Sequence, residues 1–188
     1  MTFDYQAARL TMVESQVRTS DVTDLFVQDA MRVAPRESLC LAGKKELAYA
    51  EAEIEYAAGL YLLRPRAIGK LLQTLKPRPH EKALAIAAPY GGLVLKQIGC
   101  PTDEIAADKT PAKGQYHVIV VEGAVDEVPG AWCAALAEGG RMAVVVRRGP
   151  MGKAHLYERA NGQIVWREVF DAAAPFLPGF EPKAQFAF

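Results

Sequence analysis

Lys82-Ala83-Leu84-Ala85-Ile86-Ala87-Ala88-Pro89-Tyr90-Gly91-Gly92-Leu93-Val94-Leu95 is the stretch from which the rest of the chain is read. Its apolar residues run without a charge from Ala83, are interrupted at Pro89, and resume after a Gly-Gly pair. Such a run, bounded by Pro and Gly, is the pattern of a strand buried on both faces, a tight loop and a helix start: the first βα unit of an α/β sheet. In units of this kind, N–H groups at the helix N-terminus face a ligand and glycines admit its close approach. Here Pro89 has no N–H and a fixed φ, so the cradle is expected to be spoiled.

Downstream, residues 102–108 read as a weak second strand. His117-Val118-Ile119-Val120-Val121 is the strongest buried-strand signal in the chain, and Met142-Ala143-Val144-Val145-Val146 is another. Residues 128–138 are predicted to be a helix ended by Gly139-Gly140. Asn161-Gly162 between residues 154–159 and 163–170 predicts an antiparallel hairpin with a type I′ turn. Upstream, residues 4–18 predict an amphipathic helix, and a second follows with Thr23 as N-cap and ends at Pro35. Two short extended pieces, around Ile54 and Leu60, precede a helix with Pro65 at N1 and a stripe of Ile68, Leu71, Leu72 and Leu75. The expected organisation is a helical N-terminal extension over residues 1–80 packed on a sheet core over residues 81–188.

Hydrophobic residues make up 51% of the 188 positions, and 22 basic residues balance 22 acidic ones. That balance argues against disorder, a charge-steered partner or nucleic acid. No apolar run approaches the roughly 20 residues of a membrane span, and the N-terminus has an acid and no basic flank, so a cytoplasmic location without membrane attachment is expected. Cys40, Cys100 and Cys133 lie far apart with no CxxC pair, which indicates neither a disulfide framework nor a metal site.

Other chemistry finds little support. Ser15, Ser20 and Ser38 are the only serines, and none lies in a G-x-S-x-G elbow. His80, His117 and His155 are far apart and read as surface or satisfied histidines. Arg64, Arg66, Lys70 and Arg78 read as a solvated helix face. Glu122 is the best-placed acid, because ligands of open α/β sheets bind beyond the carboxyl ends of the strands. It reads either as a ligand group or as the polar exit of a buried strand.

Several segments carry a family likeness. Met12-Val13-Glu14-Ser15-Gln16-Val17-Arg18, Ala30-Met31-Arg32-Val33-Ala34-Pro35-Arg36-Glu37, Tyr116-His117-Val118-Ile119-Val120-Val121-Glu122-Gly123-Ala124, Leu136-Ala137-Glu138-Gly139-Gly140-Arg141 and Ala174-Pro175-Phe176-Leu177-Pro178-Gly179 resemble, in order and spacing, the protein-L-isoaspartate O-methyltransferases. The likeness spans nearly the whole chain. It implies a Rossmann-like, class I S-adenosylmethionine (SAM) methyltransferase sheet behind a helical prelude, closed by an antiparallel hairpin.

Three departures stand against it. The family's hydrophobic-acidic-hydrophobic-Gly-x-Gly-x-Gly loop falls on residues 84–91, where Ala85 replaces the acid and only Gly91 survives. From Ile86 to Ile119 there are 33 positions (119 − 86), room for about one helix and one strand where a methyltransferase has more, so strand three is expected to be missing. The hydroxyl-bearing methyl-acceptor segment falls on Gly59-Leu60-Tyr61-Leu62-Leu63-Arg64-Pro65, with Leu63 at the serine position.

The resemblance therefore implies a shortened, degenerate member, expected to be a pseudoenzyme acting as an interaction module, with no catalytic or metal-binding residue assigned. The remnant cofactor positions are Tyr90, Gly91, Gly92, Asp108 and Glu122, with SAM as the cofactor if any binds; Asp108 reads equally as a solvated loop carboxylate. An exposed sheet edge left by the missing strand suggests a homodimer or a complex with a related protein. The alternative is an active SAM-dependent isoaspartyl (carboxyl) methyltransferase with a rebuilt pocket at those five residues.

Overall fold

The computed structural model describes residues 3–183. Helix α1 (Tyr5–Met12) runs on through one π turn and one 3₁₀ turn to Ser20. Helix α2 (Leu25–Val33) is capped by Asp24, whose carboxylate accepts from the Phe26 N–H, so the cap lies one residue beyond the expected Thr23. The two extended pieces pair as an antiparallel hairpin, β1 (Ile54–Ala57) and β2 (Leu60–Leu62), ahead of α3 (Pro65–Leu75).

The main sheet has six strands in the order β4-β3-β5-β6-β7-β8: β3 (Ala83–Ile86), β4 (Thr102–Ile105), β5 (Tyr116–Val125), β6 (Leu136–Arg147), β7 (Gly152–Ala160) and β8 (Gln163–Ala172). Strands β4, β3, β5 and β6 are parallel to their neighbours, and β6, β7 and β8 form an antiparallel meander. The β7–β8 turn has Asn161 at φ 52° and Gly162 at φ 74°, as the Asn-Gly signal requires. Among the described residues no strand pairs with the outer side of β4. The fold is α/β with a mostly parallel central sheet.

Alternation along the strands builds two apolar layers. Ala83, Ala85, Val118, Val120, Ala143 and Val145 face the layer that holds α1, α2, α3 and helix α4 (Pro89–Ile98). Leu84, Ile86, Ile119, Val121, Met142 and Val144 face the other, capped by Trp132 and Leu177. On the first face the small residues of β3 let α4 approach closely. A Cβ on Gly92 would lie 2.9 Å from the Cβ of Ala85, and one on Gly91 would lie 3.0 Å from Val120.

The helix expected over residues 128–138 is corrected to five residues, α5 (Gly130–Ala134). Tyr116 bridges Leu136 and draws the chain into β6 early. Gly140 is forced by this path, since a Cβ there would meet the Tyr116 carbonyl oxygen at 2.6 Å. One consequence is that α5 covers only part of the second face of β7 and β8, where Trp166 stays 57% exposed.

Candidate functional site

The carboxyl ends of β3 and β5 are where a ligand of such a sheet is expected. Glu122, in β5, is 1% exposed there. Its Oε1 accepts from the Leu63 N–H at 3.0 Å, and its Oε2 accepts from the N–H groups of Tyr90 and Gly91, each at 3.2 Å. These last two belong to the first turn of α4, which starts earlier than its glycines suggest because Pro89 sits at N1. The first-turn donors are thereby all accounted for: Pro89 has none, Tyr90 and Gly91 use Glu122, and Gly92 bonds the Ala88 carbonyl at 2.7 Å. No helix-start N–H is left to face a ligand.

Arg36 completes the arrangement. It is fully buried; its Nε donates to the Ala48 carbonyl at 2.7 Å and its Nη2 to the Leu63 carbonyl at 2.6 Å, while the guanidinium lies 4.7 Å from the Tyr90 ring centre. Leu63 is thus held by its N–H from Glu122 and by its carbonyl from Arg36, with its side chain fully buried where the methyl-acceptor serine was expected. Burial raises the Glu122 pKa, opposed by the Arg36 charge and by the three N–H donors. The Tyr90 hydroxyl and Arg36 Nη1 are buried without a hydrogen-bond partner, and burial pushes the Tyr90 phenol upward.

Two further segments close over this end of the sheet. Tyr56 in β1 donates its hydroxyl to the Ala87 carbonyl at 3.3 Å. The segment after β8 runs beside the end of β5: the Ala124 N–H donates to the Pro175 carbonyl, the Leu177 N–H to the Ala124 carbonyl, and the Leu177 side chain occupies the space above Gly123.

Of the five candidate cofactor positions, Tyr90, Gly91 and Glu122 are brought together, but in contacts among themselves. Gly92 is packed on Ala85. Asp108 stands apart, its side chain 71% exposed beside Lys109. What remains open is a recess of about 320 Å³ at the ends of β3 and β4, lined by Tyr56, Ala85, Ala87, Pro89, Glu104 and neighbouring apolar residues. Its acid is Glu104, opposite Ala85 in register and paired with Lys96 at 2.5 Å. A bound SAM needs donors for its carboxylate and an acid for its ribose. The donors of the helix start are taken, Asp108 does not line the recess, and the acid that does, Glu104, is already paired with Lys96, so the residues present do not fit the group. Among the described residues there is no cluster of three or more metal-binding side chains, and no helix is long and apolar enough to cross a membrane.

The contribution of Arg36 and the orphaned Tyr90 hydroxyl were not visible in the sequence, since both depend on a fold that joins residues 36, 63, 90 and 122. Ala87 has φ at 45°, a left-handed conformation that suits glycine.

Two substitutions test this reading. Because Glu122 has a raised pKa, the folded state takes up its proton at a higher pH than the unfolded chain. Its contribution to stability therefore grows as pH falls through that raised value and is complete below about 4.3. Glu122→Gln turns an amide NH₂ toward one set of N–H donors. The expected loss is about 1–3 kcal/mol at neutral pH, widening on acidification, read from urea midpoints at both pH values; an unchanged midpoint at neutral pH rejects the anchoring role. Ala87→Gly relieves the left-handed strain and is expected to stabilise by about 0.5–1 kcal/mol, a rise of roughly 1–4 °C in Tm.

A family model described as protein-L-isoaspartate(D-aspartate) O-methyltransferase (PCMT) matches residues 108–178, downstream of the β3–α4 loop. The protein-L-isoaspartate O-methyltransferase of Aeropyrum pernix is 26% identical over 209 aligned positions, covering 93% of this chain and 80% of the relative. That of Methylorubrum extorquens is 32% identical over 51% of this chain and 43% of its own. Since 93% of 188 residues is about 175, roughly 34 of the 209 positions in the Aeropyrum alignment (209 − 175) have no residue here, about one strand-and-helix step. Among solved structures, a Plasmodium falciparum chain described as a protein-L-isoaspartate O-methyltransferase in complex with S-adenosyl-L-homocysteine superposes with a TM-score of 0.73. It is 14% identical and covers 90% of this chain and 97% of its own, a likeness of fold. With similar segments in order along the chain and a similar sheet in the structure, the chain is similar to the protein-L-isoaspartate O-methyltransferases in sequence and in fold.

Proposed function

We propose that this chain is a member of the protein-L-isoaspartate O-methyltransferase family that has given up cofactor binding and acts in the cytoplasm as an interaction module. The observation that carries the reading is the consumption of the helix-start donors by Glu122. A carboxylate of the protein occupies the position that a ligand's anionic group would take, and Arg36 and Leu63 hold it there. Loss of several preorganised contacts at roughly 1–3 kcal/mol each weakens binding by orders of magnitude. Retained methyl transfer is the second reading. The recess beside Ala85 and Glu104 favours it, as do relatives named as enzymes.

Titration calorimetry of SAM and S-adenosyl-L-homocysteine with the purified protein separates the two. No heat and no thermal shift up to about 1 mM ligand is expected; affinity in the micromolar range, followed by methylation of an isoaspartyl peptide, would overturn the pseudoenzyme reading.

The partner surface we favour is the free edge of β4. Its side chains Asp103 and Glu104 are charged, which guards an edge against indiscriminate pairing, while its backbone groups stay available for one matched strand. Sedimentation of the wild type should show a homodimer or a stable complex with a related protein, and Glu104→Pro, which removes an N–H on the side of β4 away from β3, should release the monomer. A wild type that sediments as a monomer and retains no related protein through purification removes this surface from consideration.

A further inference from the structure

The second face of β7 and β8, which the short α5 leaves partly exposed, is not featureless. His155, Tyr157 and Trp166 form an aromatic pavement on it. The rings of His155 and Trp166 are parallel within 2° at 4.9 Å, and that of Tyr157 lies 6.2 Å from each. These rings line a recess of about 520 Å³ that reaches the carboxyl end of β6 at Arg148. Three features distinguish it from a merely uncovered sheet face. Trp166 is 57% exposed, a costly position for a large ring without a partner. His155 is only 8% exposed, yet its Nδ1 has no hydrogen-bond partner. Arg148 has no ion pair or hydrogen bond among the described residues, whereas Lys153 on the same rim is bonded to Glu168 at 2.5 Å.

We propose that this recess binds a small planar aromatic group bearing an anionic substituent, with the ring stacked on Trp166 and the anion on Arg148. Each element matches one part of such a ligand. A flat, half-exposed indole offers stacking to any planar ring, and an unpaired guanidinium recognises phosphate or carboxylate by charge-assisted hydrogen bonds. The recess volume lies within the range of small-molecule sites. Glu127, also on the rim, disfavours a second negative charge and restricts the ligand to one anionic end. The chemistry is shared by a nucleoside monophosphate and by an aromatic carboxylate. The site lies on the opposite sheet face from α4, and it stands whether or not SAM binds at the β3–α4 loop.

The test uses the full chain and the two indole N–H signals in NMR, with buried Trp132 as internal reference. Adenosine monophosphate and benzoate are titrated separately, with adenosine as the control lacking an anion. A saturable shift of the Trp166 signal by either anion, with Trp132 unmoved, supports the site, and the tighter of the two identifies the source. Removing the charge, by Arg148→Ala in the protein or by adenosine in place of the monophosphate, is expected to weaken binding about tenfold or more. Because Arg148 is exposed and makes no internal bond, the thermal midpoint of Arg148→Ala should match the wild type. No saturable shift with either anion up to about 10 mM, or equal affinity in Arg148→Ala, overturns the proposal.

Discussion

One carboxylate holds three separate regions of this protein in place. Glu122 gathers an N–H from the end of the β1–β2 hairpin and two from the start of α4, and its negative charge is balanced by a buried Arg36 that grips the same hairpin from its carbonyl side. A buried carboxylate is tolerable only when its lone pairs are satisfied and a cation is near. Both conditions are met by residues whose main role is to position backbone, so the charge works as a structural fastener at the end of the sheet where related proteins carry their chemistry.

Seen this way, the departures from the family pattern are coupled. Once Ala85 replaces the loop acid, the helix start loses the side chain that would organise it, and Glu122, one strand over, supplies a substitute carboxylate. The proline at position 89 is then harmless, because the N–H groups that Glu122 accepts come from Leu63, Tyr90 and Gly91. Gly91 and Gly92 survive for a different reason from cofactor approach: α4 sits so close to Val120 and Ala85 that neither position has room for a side chain.

Much of the fold could be read from the chain itself, because buried parallel strands and Asn-Gly hairpins write themselves in local pattern. The uncharged runs around Ile86, Ile119 and Val144 lie in adjacent strands, and the stripe from Ile68 to Leu75 is buried as expected. Residues 128–138 misled because helical spacing of apolar residues does not reveal that Tyr116 and Leu136 are bridged across the sheet. The candidate site was half legible. Glu122 stood out by its place at a strand end, but its partners depend on tertiary contact between positions 31 to 59 residues away. His155 was read as a satisfied histidine; the structure stacks it on Trp166 and leaves its Nδ1 unpaired, an outcome set by the neighbouring strand.

The bridge between Ala124 and Leu177 bears on how this protein matures. During synthesis the end of β5 leaves the ribosome 53 residues (177 − 124) before the segment that lies beside it, several seconds at ordinary elongation rates of about 5–20 residues per second. Throughout that interval the space above Gly123 has no Leu177 to fill it, and the apolar exit of a core strand is open to other chains. A ligand that could fill the gap early would act as a folding template. With Leu177 filling that space, the chain relies on its own late-arriving segment, and its yield in the cell is then governed by the speed of that last docking step.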